Sequence, residues 1–367
     1  YRVFKPEGLD ARLKELQTRF NVGFVHILDE NFGSDRAHTK EIAEILHRNE
    51  MLWFCGGVRV STVDAEYVQF LKDHGCMALK FGVESGSKTI MDVMEKKFTP
   101  ERVFESLQLL ADRDMYSPLA FMVGMPGETT ASVKETGKFW GRLCHMQGTH
   151  PWHGVTSVFY ALPLPGTPLF VYGQQKGVIG TSVDEEEEYL LTVGAGGAEK
   201  LNYPNLNGSK FLDVIWWEHL AGYEALKEFY RLAREHPLPN PKTFLQAEIH
   251  EGYKIEQRRV GAIGRIRSIL REMIYSKWVF GTPLAHPVIA MFRIRVSAQY
   301  MYRKYFFKVR GIEYNLFKEW PKIEQLEATA GTKPIKLSLR SIVNEKLLIA
   351  GDENYPDQVR KELSIGL

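Results

Sequence analysis

The chain has 367 residues, 44% of them hydrophobic and 25% charged, with a formal net charge of +2. That length holds one large or two ordinary domains with a real core, and the balance is that of a globular protein, not a disordered or fibrous one. The small charge gives no argument for nucleic acid by itself, and three scattered cysteines, Cys55, Cys76 and Cys144, exclude a disulfide framework and fit a reducing compartment.

The chain opens at Tyr1 on a helical lead-in over 8–20, with no signal-peptide pattern, and is expected to be a fragment with sequence missing upstream. Strand-like runs follow at 22–28, 51–60, 77–84, 116–124 and 153–161. Helical spacing fills the intervals at 36–49, 62–74, 88–96, 100–113 and 130–145, as in Val103, Leu107 and Leu110. Thr99-Pro100-Glu101 supplies a cap, a first-turn proline and an early acid, which start a helix well. Nearly continuous apolar strands alternating with helices imply βαβ crossovers and a parallel sheet covered on both faces. The fold class is α/β, either a barrel or a doubly wound sheet, and both place chemistry at the carboxyl ends of the strands.

Those ends carry Asp29-Glu30-Asn31, Arg59, Glu84-Ser85-Gly86-Ser87, GMPGET at 124–129 and LPLPGTP at 162–168. Each has a structural alternative. Asp29 or Glu30 would cap the next helix, Arg59 would neutralise Glu84, Ser87 would cap the helix that follows it, and MPGE would be a tight turn. Five such clusters in order, each at a strand end, point to one polar rim.

From Val22 to Ile179 the sequence resembles the radical S-adenosylmethionine (SAM) enzymes, in particular the branch with an upstream cobalamin-binding domain. The resemblance rests on HILDENF, WFCGGVRV, FGVESGS, KKFTPERV, FMVGMPGET, LPLPGTPLF and KGVI in that order. It implies a partial (β/α) barrel with a [4Fe-4S] cluster and SAM at its mouth, and a 5'-deoxyadenosyl radical as the reactive species. By the same resemblance, Glu84 and Ser85 meet the ribose or methionyl end of SAM. Phe121, Val123 and Gly124, leading into Glu128, cradle its adenine, while Asp29 and Arg59 line the same rim. A carboxylate at a strand tip accepts hydrogen bonds from a ribose hydroxyl or an ammonium, and a neighbouring glycine lets the backbone approach. The family's CxxxCxxC cluster loop has no counterpart here, so the cluster cysteines, the first strand and any cobalamin domain are expected upstream. No metal ligand is assigned within the chain. A reductant such as flavodoxin or ferredoxin is the implied partner.

Residues 1–180 are accordingly read as the partial barrel, 181–250 as a helical extension, 251–320 as a basic, aromatic-rich helical region and 321–367 as a polar tail with one candidate strand at 335–339. The acidic run Asp184–Glu188 reads as a solvated helix start, GAGGAEK at 194–200 as a loop, and 211–235 as a strong amphipathic helix. Between 254 and 310, thirteen basic residues face two acids, with aromatics interleaved. A solvated helical cap, a membrane-touching interfacial segment and a nucleic-acid surface are all compatible with that pattern, nucleic acid least so. The resulting functional expectation is radical chemistry on a small or lipophilic substrate, by cobalamin-dependent methyl transfer or oxidative cyclisation. The alternatives are a methylthiotransferase acting on RNA or protein, and a non-catalytic binding protein on a relic barrel. The expected location is cytoplasmic, with peripheral contact at the inner membrane.

Overall fold

The computed structural model describes residues 6–29, 31–151, 156–194, 204–238, 266, 269–270 and 273–309. The candidate strand at 335–339, the glycine-rich segment 195–200 and the basic residues at 254–265 lie outside them. Helix α1 (Pro6–Phe20) leads into β1 (Phe24–Ile27), α2 (Arg36–Arg48), β2 (Leu52–Val58), α3 (Ala65–Asp73) and β3 (Cys76–Glu84). Then come α4 (Lys88–Val93), α5 (Pro100–Ala111), β4 (Leu119–Val123), α6 (Thr130–Gln147) and β5 (Thr156–Tyr160). Helices α7 (Pro168–Gln175), α8 (Val183–Gly194) and α9 (Phe211–Glu235) follow, then a single helical turn at Lys277–Phe280 and α10 (Ala285–Val309).

The strands form one parallel sheet in the order β1-β2-β3-β4-β5. Neighbours follow sequence order throughout, so the wall winds one way with no switch point; this is a partial (β/α) barrel and not a doubly wound sheet. Local chemistry sets the helix starts. Asp35, not Asp29, caps α2 by accepting from the His38 N–H. Thr99 caps α5 with Pro100 in the first turn. Thr129 and Ser132 cap α6 reciprocally, and Gly148 ends it at φ +69°.

Alternation along the strands divides the two faces. Leu79, Phe81 and Val83 of β3, and Phe121 and Val123 of β4, are buried; Phe121 stacks on Trp140 of α6 at 5.4 Å, so this face looks toward the helices. The other face presents His26, Phe54, Lys80, Gly82, Glu84, Met122 and Phe159. Behind the sheet, α6 and α9 cross closely. A Cβ on Gly137 would sit 2.6 Å from the Ala221 carbonyl oxygen, and one on Gly141 would sit 2.5 Å from that of Ala225. Beyond α9, Tyr223 stacks on Phe292 of α10 at 5.2 Å and on Phe280 at 5.7 Å. This ties the described part of the basic region, at Phe280 and Phe292, to the barrel's helical layer.

Candidate functional site

Glu84, the last residue of β3, adopts φ +64°. The Ser85 N–H donates to the Val83 carbonyl oxygen at 2.8 Å, closing a γ-turn around it. A non-glycine residue there is strained, and such strain concentrates where a side chain must be aimed. The aim is visible: the carboxylate folds back over Gly82, where an added Cβ would meet Glu84 Oε1 at 2.7 Å. Glycine two positions upstream, on the same strand face, makes that space. Lys96 Nζ stands 3.7 Å from Glu84 Oε1, both side chains about a quarter exposed. The cation facing Glu84 is therefore Lys96, from the KKF segment, rather than Arg59.

The Ser-Gly-Ser segment turns the other way. Ser85 is fully buried, its hydroxyl 3.0 Å from Thr136 Oγ1 of α6 and accepting from the Ser87 N–H at 3.1 Å. Gly86 donates to the same threonine at 3.1 Å, and a Cβ there would lie 2.4 Å from that of Phe139. This loop is clamped onto α6 and leaves Glu84 alone to face outward. Ser87 precedes α4 without a side-chain cap, and its hydroxyl has no partner.

Beside it, β4 gives way at Gly124, φ +91°, to Met125-Pro126-Gly127-Glu128. Gly127 at φ +79° and the Glu128 N–H to Met125 carbonyl bond of 3.0 Å define a turn with proline second and glycine third. Glu128 is buried, and its Oε2 accepts the Gly124 N–H at 2.5 Å and the Met125 N–H at 3.3 Å. Its Oε1 has no partner. Burial, only partly offset by those two N–H groups, pushes the carboxyl up to about 7. Asn207 clamps the turn from outside, donating to the Met125 carbonyl at 2.7 Å and the Glu128 carbonyl at 2.8 Å.

Asp29 and Arg59 follow β1 and β2 directly, both exposed; the Asp29 carboxylate accepts the Asn31 N–H at 2.7 Å. Glu30 lies outside the described residues. All the rim positions therefore follow the carboxyl ends of adjoining strands, β3 and β4 being joined through Glu84 opposite Phe121. Phe121 and Val123 themselves point to the helices, so any contribution to a ligand is through their backbone. Sequence reasoning missed Lys96 and the inner-face set of His26, Phe54, Lys80, Met122 and Phe159. His26 stacks on Phe54 at 4.1 Å and is held below its usual pKa by burial and then by Lys80. Period-two alternation around Gly82 and Glu84 was the signal that identifies this set.

Residues 1–139 match the family model described as the Radical SAM superfamily. The matched stretch takes in α1 and β1 to β4 of the sequential parallel wall, and the superfamily it matches is one of enzymes that work with SAM and a [4Fe-4S] cluster. Among curated relatives, an uncharacterized methyltransferase of Pyrococcus horikoshii is 24% identical over 47% of this chain and 36% of the relative. The anaerobic magnesium-protoporphyrin IX monomethyl ester cyclase of Cereibacter sphaeroides is 28% identical over 37% of this chain and 23% of its own length. The chain thus spans about a quarter to a third of the curated relatives it matches. Among solved structures, the radical SAM methyltransferase TsrM of Kitasatospora setae, with cobalamin and a [4Fe-4S] cluster bound, gives a TM-score of 0.40 at 20% identity. It covers 48% of this chain and 35% of TsrM. The cobalamin-dependent radical enzyme OxsB gives 0.44 at 11% identity, over 86% and 52%.

The residues present suit SAM and do not suit the cluster. A solvent-reachable carboxylate on a strained strand tip, with unpartnered oxygens on Ser87 three residues on and on Glu128 after the adjoining strand, is a set of acceptors for a nucleoside and an amino acid head. A site-differentiated cluster needs three thiolates brought together. Cys55, Cys76 and Cys144, the chain's only cysteines, are buried on β2, β3 and α6. Burial raises the first two thiols strongly and pushes Cys144 up to about 12.

Proposed function

We propose that this chain is the SAM-holding wall of a radical SAM enzyme that transfers a methyl group to, or oxidatively cyclises, a small or lipophilic substrate with the help of cobalamin. The observation that carries this reading is Glu84: a carboxylate kept in a strained conformation, over a glycine, at a strand tip within the matched region. SAM, when bound, supplies the adenosyl and methyl groups for such chemistry. Glu84 would accept hydrogen bonds from its ribose hydroxyls or ammonium, with Lys96 beside the carboxylate keeping it in place. The Gly124 backbone and the Glu128 turn would meet the base, and the apolar inner face of Phe54, Met122 and Phe159 would exclude water from the reacting groups. The relatives' names, methyltransferase and cyclase, support the reaction class. Cobalamin rests on the sequence resemblance alone, and no residue here is assigned to it. A reductant such as flavodoxin or ferredoxin belongs to the same reading.

The test is SAM binding by ligand-observed magnetic resonance on this chain and on Glu84→Ala. Loss of saturation transfer in the variant, roughly tenfold as for removal of a charge-assisted hydrogen bond pair, with an unchanged melting temperature, is the expected result. Equal binding by both proteins would sink the assignment of Glu84.

A further inference from the structure

We infer that α10 and the segment before it form a docking face for an anionic lipid surface, independent of the strand-end site. The inner side of α10 is occupied: Phe292 and Ala285 are buried, and Phe292 packs against Tyr223 and Tyr275 at 5.2 and 5.9 Å. Its outer side is apolar and open. Met291, Ile294, Met301 and Tyr305 recur at helical spacing and are 57%, 72%, 54% and 69% exposed. Tyr302 beside them, and Trp278 and Leu284 just before the helix, are exposed as well. Upstream, Ile266, Ile269, Leu270 and Met273 repeat the same spacing, again exposed. A monomer in water rarely leaves so long an apolar line uncovered.

Charge identifies what covers it. Residues 273–309 contain six Lys or Arg and no Asp or Glu. On a helical projection Arg293 and Arg295 flank the apolar line on either side; Arg293 is tied to Asp213 at 2.6 Å, while Arg295 is exposed without an acid beside it in sequence. Lys277 Nζ lies over the Trp278 ring at 5.1 Å, an aromatic and a cation side by side as interfacial segments place them. A second copy of the chain would set the Arg295 flanks, to which α10 brings no acid, against each other in a two-fold contact. Nucleic acid would need the bases along the centre of the face, where the apolar residues stand. A lipid surface takes both: the apolar line enters the acyl boundary and the bases meet anionic headgroups. Among the described residues no helix is long and apolar enough to cross a membrane, so α10 lies on the surface.

The experiment is vesicle flotation of the whole chain with phosphatidylcholine alone and with about 30% phosphatidylglycerol, at low salt and at roughly 0.5 M NaCl. Binding to the anionic vesicles only, lost at high salt, is the expected result. Ile294→Glu and Arg295→Glu, each checked for native circular dichroism, should weaken flotation roughly tenfold. If Ile294→Glu fails to fold, Tyr305→Ser at the last turn carries the same expectation. Equal flotation with neutral vesicles, no flotation, undiminished flotation of both folded variants, or a dimer in light scattering that Ile294→Glu dissolves would each overturn the proposal.

Discussion

Gly82 and Glu84 share one strand face, and that register explains why a glycine sits inside an otherwise apolar strand. The obstacle to a larger residue is the far end of a flexible side chain, so Gly82→Ala should fold. It should cost at most about 1 kcal/mol yet displace the Glu84 carboxylate and weaken SAM binding almost as much as Glu84→Ala. A fully retained affinity in saturation-transfer titrations would mean the carboxylate's seat over Gly82 is incidental. Glu128 gives a pH test with a defined sign. Its folded carboxyl is raised from 4.5 to about 7 by burial. Between those values the folded chain holds a proton that the unfolded chain has released, so this stabilisation is complete below about 4.5 and is lost as pH rises through about 7. The full effect is on the order of 3 kcal/mol at most. Denaturation midpoints of the wild type should therefore fall from pH 5 to 8 more steeply than those of Glu128→Gln, and parallel curves would place the carboxyl in a wetter setting than its burial implies.

At the scale of elements, the α6–α9 crossing depends on two glycines one turn apart. Unlike Gly82, Gly141 faces backbone: an added methyl would meet the Ala225 carbonyl. Gly141→Ala should push the helices apart and cost about 1–3 kcal/mol despite a better intrinsic helix propensity; a thermal melt that rises instead would show a looser crossing. Nothing in the α6 sequence alone announced that contact, because it depends on α9, more than seventy residues further on. The elements themselves were legible, since Thr99-Pro100-Glu101 caps α5 as its residue types require and the apolar runs became strands in sequence order. The rim was legible as positions, through strand ends rich in Asp, Glu, Arg and Gly. Its partners were not. Lys96 reaches Glu84 only through the loop after α4, and Asn207 grips the GMPGE turn from about eighty residues away. Local pattern specifies turns and caps, whereas such long-range hydrogen bonds appear only once the chain has closed on itself.

At the scale of the whole molecule, the superfamily that residues 1–139 match works with a cluster that these cysteines are not arranged to hold. Cys55 and Cys76 lie on neighbouring strands within the sheet and Cys144 lies on α6, all of them buried with thiols kept protonated by burial. Bringing three thiolates onto one iron–sulfur core would require dismantling β2, β3 and their contacts with the helices, against the apolar burial that holds the wall together. Anaerobic reconstitution of this 367-residue chain with iron and sulfide should therefore yield no broad absorbance near ~400 nm, where thiolate-to-iron charge transfer falls for such clusters. The triple variant Cys55→Ala, Cys76→Ala, Cys144→Ala should behave like the wild type in that measurement while melting lower, since small buried thiols act as core residues. A cluster band in the wild type that disappears in the triple variant would show that these three thiols leave the core and ligate iron. The sheet described above would then be only one of two states of the chain.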